Sequence, residues 1–438
     1  MSGSLPPRKR LPSRFLAGVY AILAVTLGAY AAKQYVSEYL AASAIHSRSL
    51  SKAHRAVTIF DEDPSAQQAL GMILLENGDK EAAVRALEHT AALREYDYKS
   101  WQLLGTAKQA NSDLSGAEAA YRRAIELAPN YSQPNYSLGK LLLQTGRQQE
   151  GFKVLSKAAE NSFSLFPQIV DLADDHYQND AEAIEQAANP KTLAAKTYLA
   201  RYLISRSLMA PNTRSFVLDR KTPSSTRSDF INLLIEKQNF PLAHEIWRSM
   251  FEPDRTGDEA IVFDGGFEHT SDSAKGAFGW HFDQELPGVS LTRTQQQPHS
   301  GAYAIHLKFS GMVPTGRTIL SQLMLVQPDS EHVLRFYYRS PEILSASPPV
   351  IIVTDPAGAE LGRSPILKNT ENGWVAMSVN FRSDRIPAVI VALLRRPCEG
   401  LVLALSLENY HWMIFCQGRL PGKIQPLCRH TRPLRSAT

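Results

Sequence analysis

The densest cluster of groups able to hold a metal or pass a proton is Asp171, Asp174, Asp175 and His176. Asp171 and Asp175 stand at i, i+4 and share one helix face, where a carboxylate pair beside an imidazole could do acid–base work. The same spacing also describes a solvated helix face, and that is the reading adopted here. No GxSxG, P-loop, GxGxxG, HExxH or HRD sequence occurs. Gly265-Gly266 opens a β-rich region, so it offers no helix N-terminus for a phosphate. The cysteines, Cys398, Cys416 and Cys428, show no CxxC or Cys/His ligand spacing. One bridge, Cys416–Cys428 or Cys398–Cys416, is open to them if the region is exported. The expectation is a protein that is not an enzyme and carries no cofactor and no metal. The competing expectation is a glycan-active hydrolase, since paired carboxylates can come from distant strands.

A second chemistry is recognition by aromatic rings. Trp280, Tyr303, Tyr337 and Trp374, with Asp283, Arg335 and Arg339 near them in sequence, are types that stack on sugar faces and bond hydroxyls. The same rings could equally pack a core or meet a protein. They lie where short alternating apolar runs, bounded by Gly, Pro, Ser and Asp, replace the helical period. Strands are expected at Ile261–Phe263, Val289–Arg293, Ala302–Phe309, Ile319–Leu325, His332–Tyr338, Val350–Val353, Trp374–Phe381, Ala388–Leu394 and Leu401–Leu407. Many strands without helices between them suit a two-sheet antiparallel β-sandwich over 258–407.

Four stretches sharpen this. Phe263-Asp264-Gly265-Gly266-Phe267-Glu268, Gly279-Trp280, His299-Ser300-Gly301-Ala302-Tyr303-Ala304-Ile305 and His332-Val333-Leu334-Arg335-Phe336-Tyr337-Tyr338-Arg339 follow in that order. The order resembles that of jelly-roll carbohydrate-binding modules. The resemblance implies a jelly roll with Trp280, Tyr337, Trp374 and Arg339 as glycan-binding candidates. It would also place Glu268 near a structural calcium, but Leu401–Leu407 lacks the aspartate such a site needs, so no metal is expected. The remainder, 408–438, reads as a basic tail.

The helical half carries a 34-residue period. Trp101, Leu104, Gly105, Ala117, Tyr121, Ala124 and Pro129 recur one period earlier as Gln67, Leu70, Gly71, Ala83, Leu87 and Thr90. One period later stand Asn135, Leu138, Gly139, Gly151, Leu155 and Ala158. Three units in register, 64–97, 98–131 and 132–165, resemble tetratricopeptide (TPR) repeats, inside an array expected over 40–250. Small residues let paired helices approach, and large apolar ones fill the space between repeats. Asn-Gly-Asp at 77–79, Asn-Ser-Asp at 111–113 and Thr-Gly-Arg at 145–147 make the turns. The resemblance places Gln68, Gln102, Gln109, Gln133, Tyr136 and Lys140, with Lys99, on a concave groove for a protein or peptide. The alternative is a merely solvated face.

Residues 15–32 carry no charge and would span about 27 Å as a helix, near a bilayer's apolar thickness. The basic leader 1–14 sets the N-terminus cytoplasmic and exports the rest. A cleavable signal ending at Ala29-Tyr30-Ala31 is the alternative, with the same export. Net charge is only +4, with 44% hydrophobic and 21% charged residues, which suits folded domains and gives no phosphate-tracking surface for nucleic acid. The fold class expected is multidomain α + β: a transmembrane helix, a TPR solenoid and a jelly-roll sandwich. The function expected is a single-pass inner-membrane scaffold with its bulk on the periplasmic or extracellular side. Its expected partners are a protein or peptide in the groove and polysaccharide, in surface polysaccharide assembly or export.

Overall fold

The computed structural model describes residues 13–251, 262–269, 276–310, 313–341, 347–371, 373–396 and 408–415, with the backbone alone for 13–16 and 408–415. Cys398, Cys416, Cys428 and the strand expected at Leu401–Leu407 lie outside the described residues. The chain divides into two units, Met1–Leu199 and Ala200–Thr438.

In the first unit α1 (Ser13–Ser47) is followed by α2 (Leu50–Ile59). The C-terminal part of α1 is fixed by buried Ser37, whose hydroxyl donates to Asp63 Oδ2 at 2.8 Å, and by Ala41 and Ala44. From 17 to 36 every residue of α1 is exposed. Among the described residues no helix is long and apolar enough to cross a membrane. The uncharged run 15–32 begins with Phe15 and Leu16, whose side chains fall outside that description.

The three repeats follow as helix pairs: α3 (Pro64–Glu76) with α4 (Lys80–Leu93), α5 (Tyr98–Ala110) with α6 (Leu114–Leu127), and α7 (Ser132–Gln144) with α8 (Gln148–Asn161). Asp63, Asp79, Asp97 and Asp113 cap the first four of these, each accepting a backbone N–H of the first turn. The repeat glycines are required by contact within a pair. A Cβ on Gly71 would stand 2.5 Å from Leu87, one on Gly105 2.6 Å from Tyr121, and one on Gly139 2.5 Å from Leu155. The large residue of the second helix therefore lies on the glycine of the first, rather than only between neighbouring repeats. Helices α9 (Phe166–Tyr177), α10 (Ala181–Ala188) and α11 (Leu193–Ser205) continue without the signature, and α10 has 8 residues where α8 has 14.

The second unit opens with α12 (Pro211–Leu218), α13 (Ser224–Glu236) and α14 (Phe240–Ser249). Two five-stranded antiparallel sheets follow. Their orders are β1 (His281–Phe282), β4 (Thr318–Leu325), β9 (Ala388–Arg395), β6 (Pro349–Thr354), β7 (Glu360–Arg363), and β2 (Val289–Thr294), β3 (Ala304–Phe309), β10 (Glu408–Phe415), β5 (Glu331–Arg339), β8 (Val375–Arg382). The sheets share one apolar core, with Ile351, Val389, Val391 and Leu393 from the first and Ile305, Leu307, Leu334 and Phe336 from the second.

Three differences from expectation stand out. Residues 262–266 form a turn, because Asp264 is left-handed (φ 47°) and its carboxylate accepts the N–H groups of Glu268 and His269. The sheet region runs past 407, since β10 inserts between β3 and β5. The helices up to Ser249 group with the sheets: Phe230, Ile231, Leu234, Ala243, Ile246 and Trp247 form one apolar cluster with Phe278, against which Leu323 and Leu325 of β4 pack.

Candidate functional site

The first surface is carried by the A helices α3, α5 and α7. Apolar positions such as Leu70, Leu104 and Leu138 face inward, which leaves the long polar residues of the same helices outward or half-buried. Gln68 Oε1 accepts from Arg94 at 3.5 Å, and Arg94 also reaches Ser65 at 2.9 Å. Gln109 donates to Gln144 of α7 at 2.9 Å and accepts from the Tyr121 hydroxyl at 3.0 Å. The Tyr136 hydroxyl donates to Gln168 of α9 at 2.9 Å, and Lys140 Nζ lies 5.7 Å from the Tyr136 ring centre. Burial holds the Tyr136 hydroxyl above the usual phenol range, so it remains a donor at neutral pH. Gln102 is half-buried and Gln133 exposed on the same helices. The face is thus a series of amide and hydroxyl groups joining successive A helices. Its ionic members, Lys99 and Lys140, are both cations, and neither has an ion-pair partner among the described residues.

The second surface lies on the outward side of β5 and β8. Strand alternation sends Leu334, Phe336 and Tyr338 into the core and Arg335, Tyr337 and Arg339 to the other side. Tyr338 pairs with Val375, which brings Trp374, the residue before β8, beside Arg339. The loop before β3 covers this corner. The His299 ring stacks on Tyr337 with centroids 3.7 Å apart, and Trp374 meets His299 edge-on at 5.8 Å. Trp374 Nε1 donates to the Gln297 carbonyl at 3.1 Å, and Arg339 Nη1 donates to the Gln297 side-chain oxygen. Three of the four aromatic-face candidates therefore converge: Tyr337, Trp374 and Arg339.

Trp280 does not join them. It packs against Phe267 at 5.3 Å and the apolar core, and its indole N–H donates to the Asp264 carbonyl at 3.2 Å. Tyr303 lies under the Arg293 guanidinium, 3.2 Å from ring centre to Cζ, and Asp283 is ion-paired with Arg317. Glu268, the calcium candidate, instead accepts the N–H groups of Ala302 (2.9 Å) and Tyr303 (3.2 Å). The acidic patch on α9 is dispersed: Asp174 is buried while Asp171, Asp175 and His176 are exposed. Among the described residues no three His, Cys, Asp or Glu side chains gather as metal ligands. Desolvation raises the buried Asp264 carboxyl, with His269 Nδ1 at 3.0 Å opposing the shift. That pair holds a turn.

Gln297 carries no signal in the sequence, and His299 stands there only as the start of a jelly-roll stretch, not as a residue of this corner. Gln297 stands 42 residues from Arg339 and 77 from Trp374, so no local spacing links them.

No curated protein matches the chain. Among solved structures it is similar to MamA proteins. A double mutant of MamA RS-1 is 20% identical over 26% of this chain, which spans 65% of that one, with a TM-score of 0.25. MamA from Desulfovibrio magneticus RS-1 is 20% identical over 30% of this chain and 75% of its own (TM-score 0.28). Another MamA crystal structure is 19% identical over 35% and 90% (TM-score 0.29). Likenesses of that size support no functional statement. Residues 98–131 match the tetratricopeptide repeat family, a kind of repeat that suggests a scaffold for protein interaction.

Proposed function

We propose that the chain is a membrane-anchored, exported, non-catalytic scaffold whose A-helix face holds an extended acidic segment of a partner protein. The observation that carries this is the face itself. Gln68, Gln109 and the Tyr136 hydroxyl can exchange their bonds to Arg94, Gln144 and Gln168 for bonds to a peptide backbone, at little net cost, and Gln102 and Gln133 offer further amides on the same helices. Lys99 and Lys140, without acidic partners, select the sign of the peptide's charge. The anchor reading is supported by the uncharged run 15–32 within α1 and by the unbroken exposure of 17–36. Although the Tyr30 ring meets Phe60 at 5.2 Å, an apolar stretch of helix exposed along its whole length needs another apolar medium.

The test uses the detergent-purified full chain and a library of extended acidic peptides, with affinities measured by titration. Tyr136→Ala and Lys140→Ala should each weaken binding about tenfold, roughly 1.4 kcal/mol, and binding should fall as salt rises. Binding unchanged in both variants, or indifferent to salt, would sink the reading. Alkaline carbonate extraction tests the anchor: the chain should stay with the membrane fraction, and release into the supernatant would refute it.

A second reading, glycan capture in surface polysaccharide assembly or export, is favoured by the convergence of Tyr337, Trp374 and Arg339 on one corner. Stacking on Tyr337 requires an open ring face, which His299 now occupies. His299→Ala should therefore raise glycan-array binding and Trp374→Ala abolish it. An array that stays blank for both the natural chain and His299→Ala would reject this reading.

A further inference from the structure

The break in repeat regularity at α10 leaves a cavity that the A-helix face does not use. A full second helix of a repeat runs 14 residues here, but α10 ends after 8, at Asn189 in the left-handed region (φ 46°). The flank of α8 that a longer helix would cover is open instead. The resulting cavity of about 400 Å³ is lined by α8, α10 and the end of α9. Its inner wall is apolar and aromatic, from buried Phe152 and Ala187 with half-buried Tyr177. Its polar members all carry N–H or O–H donors, the amides and hydroxyls being acceptors as well, and they include a single cation and no acid. Lys153 has no ion-pair partner among the described residues. The Gln149 and Asn189 side-chain amides and the Tyr177 hydroxyl likewise have no hydrogen-bond partner among them.

We infer that this cavity binds a monocarboxylate with an aromatic body, either a free small acid or the C-terminal residue of a peptide. The size lies in the usual range for small-ligand sites. One lysine matches one negative charge, and neutral donors can complete the carboxylate's hydrogen bonds. The aromatic wall requires an apolar body, which argues against phosphate or a polyanion. The left-handed residues Gln178 (φ 48°) and Asn179 (φ 70°) turn the chain into α10 and fix the far wall. The site goes beyond the groove reading, since none of its residues lies on the A-helix face.

The full chain in detergent would be titrated with 3-phenylpropionate, its neutral amide, and a hexapeptide ending in phenylalanine as free acid or as terminal amide. The free acids should bind and their amides bind at least tenfold more weakly. Lys153→Met should reproduce that loss on the acids alone. Ala183→Trp, at a half-buried lining position, should fill the space and abolish binding while leaving the thermal transition unchanged. Stronger binding by the phenylpropionate than by the peptide acid would identify a free metabolite as the source; the reverse would identify a chain terminus. Failure of both acids to bind would overturn the proposal, as would amides binding as well as acids or binding that survives Ala183→Trp. The groove variant Tyr136→Ala should leave all of these affinities unchanged, which separates the two sites.

Discussion

At the scale of single residues, the repeat is decided by what can lie beside a helix backbone. Gly105 admits the Tyr121 ring so closely that a methyl there would stand 2.6 Å from two ring carbons. The ring cannot swing away, because its hydroxyl donates to Gln109 and it is 1% exposed. Alanine brings about 1 kcal/mol of helix propensity, but overpacking of a tight core costs typically 1–3 kcal/mol. Gly105→Ala should therefore destabilise the first unit by up to about 2 kcal/mol in urea unfolding. In combination with Tyr121→Ala the two losses should fall short of their sum by about 1 kcal/mol, the mark of contacting residues. The turn after α5 shows the opposite case. Ser112 takes the left-handed position (φ 65°) that Gly78 and Gly146 take in the other repeats. A β-carbon there costs about 1–2 kcal/mol, while glycine's freer unfolded chain gives back about 0.5–1 kcal/mol. Ser112→Gly should raise stability by about 0.5 kcal/mol, and any measured loss would mean that the exposed serine makes a contact of its own.

At the scale of elements, repeats are joined by charge as well as by apolar packing. Glu118 of α6 accepts from Arg122 at 2.7 Å and from Arg147, before α8, at 2.8 Å, and Arg122 and Arg147 both reach Glu150. The hydrogen bond from Arg122, then that from Arg147, holds the Glu118 carboxyl below its usual value. A depressed acid contributes stability that is complete above the unfolded carboxylate value and is lost as pH falls through the folded one. Half-exposed networks are worth about 0.5–1 kcal/mol. Glu118→Gln should thus cost about that much at pH 7 and nothing near pH 2, and 1 M salt should shrink the difference; a gap that persists in acid would assign the loss to packing. Why these elements could be read from sequence is a matter of pattern length. The pairs α3 to α8 announce themselves through a 34-residue recurrence, and β2 to β6, β8 and β9 through alternation along six or more residues. Strand β1 has two residues and β7, Glu360–Arg363, has four with a glycine among them, too short for a period. The corner around Tyr337 was half legible, since alternation gives the outward face of β5 but cannot tell which loop lands on it.

At the scale of the molecule, the composition change near residue 255 marks a change of secondary structure, and the physical unit begins earlier. Trp247 of α14 lies 4.7 Å from Phe263, 4.8 Å from Phe251 and 5.7 Å from Phe278 between ring centres, and Leu323 and Leu325 of β4 pack on the same cluster. Strand β4 is therefore apolar on both faces, with Met324 in the core between the sheets and its neighbours under the helices. A fragment starting at 258 would uncover Phe278, Leu323 and Leu325. Full burial of such a side chain is worth roughly 1.5–3 kcal/mol, so partial burial of the two leucines brings the loss to about 3–6 kcal/mol. That is a large share of the 5–15 kcal/mol that holds a domain folded. A fragment 200–438 should melt cooperatively, while 258–438 should melt far lower or aggregate; equal melting would show that the helices lean on the sheet without stabilising it. Acid gives an independent check on the same seam. Burial, with Arg248 adding to it, lowers the His244 imidazole to about 4, and the ring lies 5.0 Å from Phe278 and 5.6 Å from Trp247. Its unfolded value is near 6.5, so the unfolded chain gains a proton first. The seam's stability is complete above pH 6.5 and declines toward pH 4, by at most about 3 kcal/mol, which solvent screening of the half-buried ring reduces to about 2. His244→Gln should flatten that decline in 200–438, and a pH profile unaltered by the substitution would place the acid sensitivity elsewhere in the unit.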